Sequence, residues 1–232
     1  MGFFTDLKAR RALTAHGRER FDEAYALYQT AYAEGMNKAQ FLLPFSILLL
    51  RRGEYEQAAE VLRKAEKSPG GITPAQRSQI LVNYAVVCWK QGRLDRALEY
   101  LQEVYRKGPS GTIYSTLGYL LIEKGDFEEA LAFNQEAVAY DEEDPITLDN
   151  LGQTYYRLGG PEHREEARAC FEKALSFRPS SIDSNYFLAL YDIEDGKKEE
   201  ALEKLETAGE GRFSPLNYAT PEMIEEKVKA LG

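Results

Sequence analysis

Six stretches of the chain repeat one phrase of apolar and polar positions: FDEAYALYQTA, YEQAAEVLRKA, LDRALEYLQEV, FEEALAFNQEA, REEARACFEKA and KEEALEKLETA. Each places a small anchor at Ala24, Ala58, Ala97, Ala130, Ala167 and Ala201, with spacings of 34, 39, 33, 37 and 34. Seven residues further on stands a second anchor, at Ala31, Ala65, Val104, Ala137, Ala174 and Ala208. Upstream lies a third small position: Ala12, Ser46, Ala85, Gly118, Gly152 and Ala189. It precedes the first anchor by 12 residues in every repeat except the fifth, where the interval is 15. Seven residues beyond it comes Gly53, Gly92, Gly125, Gly159 or Gly196, and in the first repeat Glu19.

This spacing predicts paired helices of about a dozen residues joined by a turn in which glycine adopts positive φ. Small residues at fixed offsets let the two helices approach closely and let neighbouring pairs stack. One hairpin cannot bury its apolar face alone, so stacking builds the core.

The pattern resembles the tetratricopeptide repeat, a helix–turn–helix unit of about 34 residues. The fifth repeat carries the family phrase best, through Leu151, Gly152, Tyr155, Gly159, Ala167, Phe171, Ala174 and Pro179, and the third, LVNYAVVCWKQGRLDRALEYLQEVYRKGP, follows closely. The resemblance spans roughly residues 5–212. It implies an all-α fold: a right-handed α-solenoid of about six helix-turn-helix repeats in one domain, 1–232. Their expected bounds are 5–38, 39–77, 78–110, 111–144, 145–181 and 182–215, with a capping helix at 220–231.

Four segments depart from the phrase. GRER stands where the first turn should be. KSPGGITPAQRSQ reads as an added surface loop, and GGPEHRE as a turn lengthened by three. GEGRFSPLNYA reads as a linker, followed by Thr220 as N-cap, Pro221 at the first helical position and Glu222 in the first turn. Met223, Ile224, Val228 and Leu231 then form an apolar stripe suited to an end cap.

The stretch FLLPFSILLLRRG, residues 41–53, is the most apolar in the chain. It is too short for a membrane span, which takes about 20 apolar residues. Its phase makes Ser46 the small packing residue and Gly53 the turn. Leu43, Ile47 and Leu50 then fall on the side where a solvated helix would be polar. That face requires a cover: the N-terminal helix, another subunit or a ligand.

Composition narrows the classes of function. A net charge of −9 disfavours nucleic acid, which requires clustered Lys and Arg. Residues 1–20 are the local exception, with Lys8, Arg10, Arg11, Arg18 and Arg20 against Asp6 and Glu19. Two cysteines, Cys88 and Cys170, argue for a reducing compartment rather than a disulfide scaffold, and a cytoplasmic location is expected. The segment MGFFTD has Asp6 where a myristoylation signal carries Ser or Thr.

Candidate chemistry is sparse. His16 and His163, the two histidines, fall in or beside turns, where exposed loop histidines are expected. KGPSGT lies between repeats, and pairs such as Glu128–Glu129 sit at helix starts, where acids favour the helix dipole. No catalytic residue, metal site or cofactor is expected, and the thiols read as packing residues.

In the family, ligand-contacting positions lie on the first helix of each repeat, along a concave face. Carried over by repeat phase, these are Leu43, Ile47, Leu50 and Arg51 in the second repeat, and Asn83, Val86, Trp89 and Lys90 in the third. The fourth contributes Tyr119 and Ile122, beside Ser115 and Thr116. The fifth contributes Asn150, Gln153, Tyr156 and Arg157. The resemblance implies that Asn83 and Asn150, at equivalent places, face a peptide backbone. The function expected is a non-enzymatic scaffold for a protein or peptide segment. Alternatives are a self-associating module, hence a homo-oligomer, and a membrane-surface adaptor acting through Phe3, Phe4 and Leu7 with Lys8, Arg10 and Arg11.

Overall fold

The repeating phrases form helices because their apolar and small residues recur at three- and four-residue intervals, and side-chain caps at Thr73, Ser110, Asp126, Asp144 and Thr220 fix five of the starts. The computed structural model describes residues 2–232 and contains thirteen α-helices, with no strand among the described residues. The chain forms two compact units, Met1–Val104 and Tyr105–Gly232.

The first unit holds α1 (Phe3–Gly17), α2 (Phe21–Ala33), α3 (Ala39–Arg51), α4 (Tyr55–Glu66), α5 (Pro74–Lys90) and most of α6 (Leu94–Lys107). Hairpins α1–α2 and α3–α4 pack internally, and α3 also packs on α1, α2 and α5. The anchors Ala24, Ala31, Ala58, Ala65 and Ala97 are fully buried, as are Ala12, Ser46 and Ala85. Glycines 53 and 92 take φ of 74° and 75° in the turns. Glu19 occupies the same place with φ 60°, the one positive value for a non-glycine among the described residues. The closing bond is nevertheless the same: Arg20 N–H donates to Ala15 O, as Glu54 donates to Leu49 and Arg93 to Cys88.

Within α3 the apolar face that the sequence leaves open is covered by the unit's own helices. Leu43 and Leu50 are buried and Ile47 is half-buried. Pro44 lies inside the helix, at its sixth residue. The expected loop before α5 is shorter than it looked, because Thr73 and Gln76 form a reciprocal capping box and Pro74 opens the helix.

The second unit holds the end of α6, then α7 (Gly111–Lys124), α8 (Phe127–Tyr140), α9 (Pro145–Leu158), α10 (Pro161–Phe177), α11 (Ile182–Glu194), α12 (Lys198–Gly209) and α13 (Pro221–Leu231). Its first helices α7, α9 and α11 pack in sequence, each also against the second helices beside it. Gly118 and Gly152 are places where any side chain would collide. A Cβ on Gly152 would lie 2.7 Å from the Phe171 ring. Phe171 in turn stacks on Phe187 at 5.2 Å with the rings 4° from parallel. The fifth repeat does not lengthen its turn: Pro161 starts α10 directly after Gly159 and Gly160, and the three extra residues join the helix. Ser110 of KGPSGT is the N-cap of α7. Thr220 caps α13 as expected, and Ile224 anchors that helix in the core.

Candidate functional site

The first helices of each unit present the positions carried over from the repeat phase. In the first unit Leu43, Leu50, Val86 and Asn83 are buried, Ile47 and Trp89 half-buried, and Arg51 and Lys90 exposed. Lys90 Nζ lies 3.8 Å from the centre of the Trp89 ring, and the Arg51 guanidinium stands over Phe21 at 5.7 Å. Asn83 is engaged within the fold. Its Nδ2 donates to Ser46 Oγ at 2.9 Å, its Oδ1 accepts from Gln79 at 2.8 Å, and Ser46 Oγ donates to Leu43 O.

His16 is half-buried at the end of α1, edge-on to Phe21 at 5.5 Å, rather than an exposed loop residue. Burial, and next the charge of Arg51, lower its pKa. His163 belongs to the first turn of α10, where Nδ1 meets Glu166 at 2.7 Å.

In the second unit Tyr119, Ile122, Asn150 and Gln153 are buried, and Tyr156 and Arg157 half-buried. Asn150 repeats the role of Asn83: its Nδ2 donates to Ser115 O on the preceding first helix at 2.8 Å. Burial, and next the charges of Glu123 and Asp183, hold the Tyr119 phenol protonated, with its pKa raised.

Beside these residues lies a polar layer that the repeat phase did not single out. Asp149 of α9 accepts from Ser184 Oγ and, at 2.7 Å, from Gln153 Nε2. Asp183 of α11 accepts the backbone N–H of Tyr218 at 3.0 Å and of Ala219 at 2.9 Å, and Asn217 Nδ2 at 3.2 Å. Both carboxyls are buried, and that burial raises both pKa values; the charge of Asp183 raises Asp149 further. Gln153 Oε1 is buried without a partner.

The segment expected to be a linker is therefore held in place. Tyr218 stacks on Phe187 at 5.0 Å, and Arg157 covers its ring at 4.8 Å. Tyr156 packs on Phe187 at 4.7 Å. Asp183 is an acid in the first turn of α11, a common place for one, so its role left no separate signal in the sequence. The pairing of Tyr218 with Phe187 and Arg157 carried none either, because these partners lie 31 and 61 residues from Tyr218 in the chain.

The first unit also has a cleft of about 500 Å³ lined by Glu56, Glu60, Arg63, Tyr84, Cys88 and Tyr100 among others. Cys88 is buried there and Cys170 is half-buried; burial raises both thiol pKa values.

Hairpins closed by small anchors, with polar side chains tying successive first helices together, define a helical-repeat protein. Family models confirm the kind of repeat: tetratricopeptide-repeat models match residues 43–112, 118–159 and 147–181. The chain belongs to the tetratricopeptide-repeat family. It is 28% identical over 162 residues to the TPR repeat-containing protein YpiA of Bacillus subtilis, covering 69% of this chain and 36% of that protein. It is 27% identical over 111 residues to the cytochrome c-type biogenesis protein CycH of Bradyrhizobium diazoefficiens, covering 47% of this chain and 30% of that protein. The chain thus spans about a third of the length of these curated relatives. A solved tetratricopeptide repeat protein from Parabacteroides merdae superposes with a TM-score of 0.74 at 14% identity, covering 98% of this chain and 84% of that one. Proteins of this family generally act as protein-interaction scaffolds, and the fold is typically non-catalytic. No helix among the described residues is long and apolar enough to cross a membrane.

Proposed function

We propose that the chain is a non-enzymatic scaffold that holds an extended protein or peptide segment against its first-helix face. The observation that carries this reading is the grip on residues 217–219 in the second unit. There one face already combines a carboxylate accepting two successive backbone N–H groups, an aromatic bed and a guanidinium lid for a tyrosine ring. Those are the elements of peptide recognition: main-chain hydrogen bonds for affinity and an aromatic anchor of low entropy cost. In the first unit Ile47, Trp89, Lys90 and Arg51 keep accessible surface for such contacts. In the second, Tyr156 and Arg157 do so. Asn83 and Asn150 act instead on neighbouring helices, and Leu43, Leu50, Val86, Tyr119, Ile122 and Gln153 shape the face from beneath.

The test places a photo-crosslinking amino acid at Lys90 or Arg157 and, as control, at Lys173 on a second helix. The captured segment is then synthesised and its affinity measured against Trp89→Ala and Tyr156→Ala. Capture from Lys173 alone, or unchanged affinity in both variants, overturns the assignment. A second reading is self-association, favoured by the exposure of Tyr140, Ile146 and Phe177. Sedimentation at several concentrations separates the two.

A further inference from the structure

The first helix distributes its residues in an unusual way. Its buried residues, Thr5, Ala9, Ala12 and Ala15, are small and lie on one stripe. Its large apolar residues lie off that stripe. Phe3 is 78% exposed, Phe4 75% and Leu7 47%, and the two phenyl rings meet edge to face at 5.7 Å. At 100° per residue, Phe3, Leu7, Arg10, Arg11 and Thr14 fall on the half of α1 opposite the alanine stripe. Folding therefore leaves unburied the side chains that would gain most from burial.

Charge on the same face is also unspent. Lys8 pairs with Glu34, and Lys38 with Asp6. Arg10, Arg11 and Arg18 are exposed and make no ion pair among the described residues. The first twenty residues carry a net +3 in a chain totalling −9, leaving −12 for the rest. An anionic surface would repel most of this protein and attract this one helix.

We propose that the outer face of α1 docks on an anionic lipid bilayer, independently of the first-helix face proposed above to hold a peptide. Phe3, Phe4 and Leu7 enter the boundary between headgroups and acyl chains, and Arg10 and Arg11 lie at the level of the phosphates. A lipid surface fits this patch better than a protein. Three side chains on one helical end fall short of the roughly 800 Å² per partner of a stable protein interface. A bilayer needs no complementary shape, and it supplies apolar depth and negative charge together.

Flotation of the full chain, tagged at its C-terminus, tests the proposal with vesicles of phosphatidylcholine alone or mixed with phosphatidylserine. Wild type floats with the mixed vesicles only, and less so at high salt. Phe3→Ser with Phe4→Ser removes flotation, and Arg10→Gln with Arg11→Gln lowers partitioning by about 25-fold, roughly fivefold per arginine. All these positions are exposed, so melting curves stay unchanged and serve as the folding control. Flotation equal on both vesicle types, or absent from both, overturns the proposal. Concentration-dependent association that the Phe3/Phe4 variant abolishes, without flotation, assigns the face to a second copy of the chain and overturns it as well.

Discussion

Replacing Asp149 by Asn should stabilise the protein at alkaline pH and leave it nearly unchanged in acid. Asp149 is buried against Asp183, and the site raises its carboxyl pKa from 3.8 to about 7. The folded chain therefore retains a proton that the unfolded chain releases above pH 3.8. The stability tied to this group is fully present below that value and is lost as pH rises towards 7. A shift of about three units corresponds to a ceiling of about 4 kcal/mol. Replacing buried ionic groups by uncharged residues of similar volume ranges from neutral to stabilising by about 1–4 kcal/mol. The amide keeps the local hydrogen bonds: its Oδ1 still accepts from Gln153 Nε2, and its Nδ2 donates to Ser184 Oγ. A gain of about 2 kcal/mol in a chain of this size raises Tm by about 4–8 °C. The assay is thermal melting of both proteins from pH 4 to pH 8.5, scored as the difference between them at each pH. That difference should be largest at pH 8 and shrink to nothing near pH 4. Equal destabilisation across the whole range would refute the reasoning, since it would mean that the fold needs the ionised carboxylate as an acceptor.

Three further outcomes are expected. Gly152→Ala pushes a methyl into the Phe171 ring, and overpacking of about 1–3 kcal/mol outweighs a helix-propensity gain of up to ~1 kcal/mol, so the urea midpoint falls. Glu19→Gly relieves the positive φ of the first turn and should raise stability by about 0.5–1 kcal/mol in the same titration. Burial, and next the charge of Glu166, push the Cys170 thiol to about 11, and burial raises Cys88 too. Cys170 should react with a disulfide reagent at neutral pH roughly a hundredfold more slowly in the native than in the denatured chain, and Cys88 should be slowed as well. A fast native phase would show that the thiols are more open than the structure has them.

The hairpins could be read from the sequence because their determinants are local. Ala58 and Ala65, or Gly152 and Ala167, are small because two helices joined by a short turn must touch there. That requirement recurs at the same interval whatever the chain does elsewhere. Even the departures were legible in principle: TPAQ before α5 is a capping box, and Gly-Gly-Pro before α10 is a turn followed by a helix start, although both segments looked like loop.

The candidate face was legible in position but not in accessibility. The repeat phase located Asn83, Asn150, Tyr119 and Gln153 on first helices. Whether they meet solvent depends on neighbouring helices of the same unit that lie far off in the chain: Asn83 bonds to Ser46, 37 residues away, and Asn150 to Ser115, 35 away. Their hydrogen-bond partners, Ser46 and Ser115, belong to the preceding repeat, and no spacing rule forces an amide to choose a neighbour over a ligand.

By itself, the sequence determined the helical repeat, its turns, its small anchors and its acidic balance, since each follows from contacts within one hairpin or from composition. Tertiary structure alone decided that α3 is covered by its own unit, that Asp149 and Asp183 share a buried site, and that residues 217–219 are clasped there. It also decided that Phe3 and Phe4 stay in water, because the alanines on the opposite stripe of α1 are what the neighbouring helix can approach.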